Sequence, residues 1–150
     1  MDTIKSFLDR STTEYEFIYH DQQIISVADG VSCLGIEAGQ TAPTLIISAD
    51  DTYFSLVFSG DRQRIDWVAL AAIMGVSKVK LVAKDKVQSL TGFAPGDIPM
   101  VGLPFPGIFD KRLLQYPFVY GGSGQQNRTL KLAPTLLQKL AQPVAFLGND

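Results

Sequence analysis

Cysteine is nearly absent. Cys33 stands alone, which excludes an intramolecular disulfide and makes a reducing, cytoplasmic setting the natural expectation. Histidine is equally scarce: with His20 as the one histidine, a metal site built on two or more histidine ligands cannot form, and no metal or other cofactor is expected. No apolar run approaches the ~20 residues of a membrane-spanning helix. Residues 1–10 carry acidic side chains where a secretory leader would be apolar, so no membrane partner is expected. Positive charge is not in excess either, 13 basic side chains facing 15 acidic ones. A protein that grips a long stretch of nucleic acid shows a basic surplus. Bulk nucleic acid binding is therefore not expected, and any such contact should be small, confined to an end or supplied through a partner. Also missing are the Gly-x-Gly-x-x-Gly dinucleotide turn, the phosphate loop ending in Gly-Lys-Ser/Thr and the Gly-x-Ser-x-Gly elbow of serine hydrolases.

What is present is the pattern of an ordinary globular chain. Its 150 residues are 46 % hydrophobic and 19 % charged, which fits one domain spanning residues 1–150 with a core large enough to need no staple. Residues 3–8 read as a short helix and 15–20 as an aromatic strand. Ser26 is placed to cap a helix that runs to Leu34 and stops at Gly35. Residues 44–49 and 53–58 form two arms around an Asp50-Asp51 turn. Asp66 opens a helix up to Met74, in which Trp67, Leu70, Ala71 and Met74 share a buried face. A strand at 79–83, a helix from Asp85 to Gly92, a cap at Asp110, strands at 118–120 and 129–132, a helix from Pro134 and a last strand at 144–147 complete the order. The expected fold class is α/β (α+β), with a mixed, curled or barrel-like β-sheet and surrounding helices.

Two stretches could carry chemistry. In residues 91–106, glycines allow a close backbone approach while prolines stiffen the chain between them. Such a loop binds a carbonyl or phosphate without a reactive side chain, or simply connects two elements. Gly121-Gly122-Ser123-Gly124 could form a nest of amides for an oxyanion, or just a tight turn. His20 could act as a general base or be a packed strand-end residue. Cys33, on an apolar helix, reads as a buried and inert thiol.

Taken together, these residues resemble the YbaK/ProX family, which includes free-standing deacylases and the editing domain inserted in some prolyl-tRNA synthetases. The similarity runs from the strand ending in His20, through Leu34-Gly35, Thr44-Leu45-Ile46-Ile47, Met74-Gly75 and Thr91-Gly92-Phe93. It continues through Gly96-Asp97-Ile98-Pro99, Gly102 and Asp110 to Gly121-Gly122-Ser123-Gly124 and residues 129–134. The resemblance implies hydrolysis, in trans, of the aminoacyl ester on mischarged tRNA. Gly122, Ser123 and Gly124 would form the catalytic oxyanion loop, and His20, Thr44, Phe93, Gly96, Pro99, Gly102 and Asp110 would bind substrate. The partners it implies are a tRNA acceptor end, touched over a small area, and an aminoacyl-tRNA synthetase. Family members carry a lysine immediately before the Thr-Leu of the central strand; here that position is Pro43, which offers neither charge nor N–H. The loss implies a slower reaction. Alternatives are a non-catalytic module that binds an aminoacyl or nucleotide end, and a hydrolase or regulatory protein using the pocket for another ester.

Overall fold

Period-two alternation along residues 44–57 decides where the layers lie. The computed structural model describes residues 2–12, 14–24, 26–62 and 64–148. Its strands, in chain order, are β1 (Tyr15–Tyr19), β2 (Thr41–Ala42), β3 (Thr44–Ala49), β4 (Thr52–Val57), β5 (Val79–Leu81), β6 (Gly107–Asp110), β7 (Val119–Gly122), β8 (Arg128–Leu132) and β9 (Pro143–Leu147). The helices are α1 (Thr3–Ser11), α2 (Val27–Leu34), α3 (Trp67–Met74), α4 (Lys84–Thr91) and α5 (Pro134–Ala141). On β3, Ile47 and Ala49 turn toward α3, joining Leu56, Leu70, Ala71 and Ile108 in one core cluster. Ile46 turns the other way, against Val82, Val87 and Ile98. A third cluster, with Leu8, Phe109, Val119, Leu130 and Leu137, lies under α1 and α5.

The mixed α+β class holds, but the strands form two sheets that do not close into a barrel. One sheet has the order β1-β8-β7-β2, the other β5-β3-β4-β6-β9. The first is antiparallel apart from the parallel β2–β7 pair. In the second, β3 runs antiparallel to β4 and β5, while β4–β6 and β6–β9 are parallel. Pro43 is where the chain leaves the first sheet for the second. Without an N–H it cannot continue a ladder, so β2 ends at Ala42 and β3 begins at Thr44.

The helix ends follow their sequence signals. Ser26 and Asp66 cap α2 and α3 through their side chains, and Gly35 and Gly75 stop them in the left-handed region. Asp110 caps the 3-10 turn Lys111–Gln115 by accepting from the Arg112 N–H. Three expectations need correction. Cys33 is exposed, not buried, because α2 points Val27, Gly30 and Leu34 inward, one helical face that leaves position 33 on the other side. Gly121 and Gly122 belong to β7 instead of a turn, since the bare backbone there is crossed closely by the segment at 98–100. Residues 107–110, one end of which was expected only as a cap, form the buried strand β6. A four-residue strand has no room to display a period.

Candidate functional site

A cleft of about 400 Å³ opens where the two sheets diverge at Pro43. One wall is formed by the two middle strands of the first sheet, with Tyr120 and Gly122 of β7 and Thr129 of β8; the opposite wall is Pro43 and Thr44 at the start of β3, and the turn Gly96–Ile98 closes between them. The inward face of α2 adds apolar surface. Thr44 and Ile46 lie on one side of β3, and Ile46 packs on Ile98. Ile98 in turn approaches Gly122 so closely that a Cβ there would sit 1.9 Å from the Ile98 carbonyl oxygen. Met100 fixes this crossing by donating its N–H to the Gly122 carbonyl at 3.0 Å. Glycine at position 122 is thus required by a close backbone approach.

His20 follows β1 directly and reaches across the sheet. Its Nδ1 lies 2.6 Å from the Gln22 carbonyl oxygen and its Nε2 2.9 Å from Thr129 Oγ1. A carbonyl can only accept, so Nδ1 carries the proton. With that tautomer, Nε2 is the nitrogen that can accept from the Thr129 hydroxyl. A hydroxyl, a base and a group that orients the base are therefore aligned at the cleft wall, an arrangement suited to moving a proton.

Three charged side chains belong to lining residues: Arg62, Asp97 and Arg128. Arg62 donates from Nε and Nη2 to the Asp110 carboxylate, which is wholly buried and also accepts from Ser59 N–H. Arg128 turns to Asp2, to the Ser123 carbonyl and to the face of Phe17, 3.8 Å from the ring centroid. Asp97 has no cationic partner among the described residues. Burial pushes its carboxyl above the usual carboxylate range, partly offset by a hydrogen bond from the Gln23 side chain. Among the described residues no lysine lines the cleft; Lys78 and Lys80 flank a separate groove beside Asp50 and Asp51.

Of the residues named from the sequence, the cleft unites His20, Thr44, Gly96 and Gly122. The others lie off it. Ser123 is buried and donates its hydroxyl to the Arg128 carbonyl at 2.6 Å. Gly124 turns the chain at φ 89° against Phe93, which packs into the core. Pro99 is buried behind the crossing at Gly122. Gly102 lies against Ile4 and Phe7 and lines a different, smaller cavity. Asp110 stands behind Arg62 as its anchor. Sequence reasoning missed Arg62, Thr129 and the Asp97 side chain. Asp97 stood inside a segment read only for its backbone, and nothing local links Thr129 to His20 or Arg62 to Asp110.

Similarity to known proteins agrees with this architecture. The sequence profile of the aminoacyl-tRNA editing domain family matches residues 21–140. The proposed Cys-tRNA(Pro)/Cys-tRNA(Cys) deacylase EbsC of Enterococcus faecalis (strain ATCC 700802 / V583) is 26 % identical over 129 residues, which is 85 % of this chain and 78 % of that protein. The crystal structure of the hypothetical protein APE2540 matches with a TM-score of 0.88 at 24 % identity, over 96 % of this chain and 97 % of the other. That of a proposed trans-editing enzyme for prolyl tRNA synthetase matches with a TM-score of 0.79 at 24 % identity, over 89 % and 84 %. At such identities the structural likeness establishes the fold. The profile match over most of the sequence goes further: the chain belongs to the aminoacyl-tRNA editing domain family.

Proposed function

We propose that this chain acts as one editing domain that hydrolyses, in trans, the ester joining a wrong amino acid to the terminal adenosine of tRNA. The observation that carries this reading is the His20–Thr129 hydrogen bond, 2.9 Å long, at the wall of a cleft that glycine backbone also lines. In the proposed reaction a water oxygen attacks the ester carbonyl carbon. The proton leaving the water passes through the Thr129 hydroxyl to His20 Nε2. Backbone amides at Gly96 and Gly122 face the developing oxyanion. The tetrahedral intermediate then expels the ribose oxygen, which takes the proton back from His20, giving free amino acid and tRNA. With 13 basic against 15 acidic side chains, contact is confined to the acceptor end, because each additional phosphate contact calls for a cation. A synthetase would hold the rest of the tRNA.

Pro43 sets the pace of this reaction. It lines the cleft where the family resemblance implies a lysine, and the two cleft arginines are already bound to carboxylates. Loss of one charge-assisted contact costs about 1.5–3 kcal/mol, or roughly ten- to a hundredfold in rate if it falls wholly on the barrier. The test is hydrolysis of tRNAs charged with alanine, cysteine or serine by the wild type, Pro43→Lys and Thr129→Val. Slow hydrolysis by the wild type, faster by Pro43→Lys and slower by Thr129→Val, is expected. No hydrolysis of any ester by wild type or Pro43→Lys overturns the reading and leaves a binding module.

A further inference from the structure

Buried polar atoms without partners are uncommon, and each calls for an explanation. Among the described residues three side-chain atoms are in this state: Thr44 Oγ1, Asp97 Oδ1 and Arg128 Nε. The last belongs to a guanidinium already engaged by Asp2, Ser123 and Phe17. The other two belong to residues of the same cleft, on the Thr44 wall and on the Gly96–Ile98 turn beside it. Asp97 is also the one acidic residue among the described residues of the lining, and both arginines there have carboxylate partners of their own, Asp110 and Asp2. The cleft therefore holds one carboxyl that has the Gln23 side chain as a hydrogen-bond donor but no cationic partner among the described residues, in the same lining as a hydroxyl that lacks a partner. An acceptor-only carboxylate taken out of water is stabilised by a donor cation. A ligand that brings an ammonium group would supply it.

We propose that Asp97 recognises the free α-ammonium group of the aminoacyl ester, with Thr44 Oγ1 as the second contact, so that the cleft takes unblocked aminoacyl esters and rejects N-acylated ones. This rests on the function proposed above and adds the substrate class. An amide nitrogen in place of the ammonium carries no charge, and its acyl group would press on the turn at Gly96–Ile98. The polar end of the ligand lies at Asp97, and its side chain faces the apolar surface that α2 contributes. Short esters with a free amine, whatever their tRNA, are the predicted class.

The experiment uses the whole chain and two non-hydrolysable probes. One is the amide analogue of 3′-alanyl-adenosine with a free α-amine, the other its N-acetyl derivative, both measured by calorimetry. The free amine should bind about ten- to a hundredfold more tightly than the acetylated probe, the value of one charge-assisted contact. Asp97→Asn should bring the ratio down to about twofold by weakening the free amine alone, and Asp97→Glu should restore part of it. Melting temperatures of both variants, measured without ligand, establish that they fold. Equal binding of the two probes by the wild type, binding of neither, or an unchanged ratio in Asp97→Asn overturns the assignment. Discrimination in binding without hydrolysis of any ester overturns the proposed reaction and leaves the role of Asp97 standing. Hydrolysis without discrimination does the reverse.

Discussion

Gly122→Ala is the sharpest perturbation of the cleft wall. The new Cβ would stand 1.9 Å from the Ile98 oxygen, 2.9 Å from its carbonyl carbon and 3.3 Å from Pro99 Cα. Carbon and oxygen touch at about 3.3 Å, so strand and loop must part by roughly 1.4 Å. β7 is held on both sides, by β8 and β2, and cannot retreat. The loop must move, and the Met100 N–H to Gly122 bond goes with it. Overpacking of this kind costs about 1–3 kcal/mol and the bond about 1 kcal/mol, for a total of roughly 2–4 kcal/mol. In a chain of this size that lowers the melting temperature by about 5–15 °C. Gly96→Ala is the control, because its Cβ meets nothing nearer than Gln23 Nε2 at 3.8 Å. Thermal melts followed by circular dichroism should show a large drop for position 122 and little for 96. Ligand affinity should fall for position 122, since Asp97 and Ile98 shift with the loop. If the two variants melt together, the close crossing does not hold the wall.

Asp110→Asn should destabilise the fold by about 3–5 kcal/mol, the cost of breaking the mostly buried Arg62–Asp110 pair from one side; denaturant unfolding measures it, and a loss below about 1 kcal/mol would contradict a structural role for the pair. Asp2 is held below its ordinary 3.8 by the hydrogen bond from Arg128. A depressed carboxyl contributes stability that is present above 3.8 and is lost as pH falls through the lower folded value. Wild type should therefore lose stability below about pH 4 more steeply than Asp2→Asn, as melting curves from pH 5 to pH 2 would reveal.

The local signals in the chain were sufficient for much of this architecture. Ser26 and Asp66 are N-caps, Gly35 and Gly75 are left-handed stops, and β3 and β4 pair side by side as antiparallel arms around Asp50-Asp51, because these features act over a few neighbouring residues. The order of glycine and proline segments was enough to indicate the family. Other features depend on residues far apart. β2 and β6 are too short to carry a period and exist because longer partners pair with them. Cys33 looked buried because its helix is apolar, yet the inward face of α2 is chosen by what packs beneath it. Six of the ten residues singled out for the site lie off the cleft, since a glycine or serine reads alike whether it lines a pocket or holds a turn. Only the tertiary structure could join His20 to Thr129 and Arg62 to Asp110, or leave Asp97 Oδ1 buried without a partner. Hydrogen bonds and charge balance are set by distance in space, and the sequence separations of 109 and 48 residues carry no trace of them.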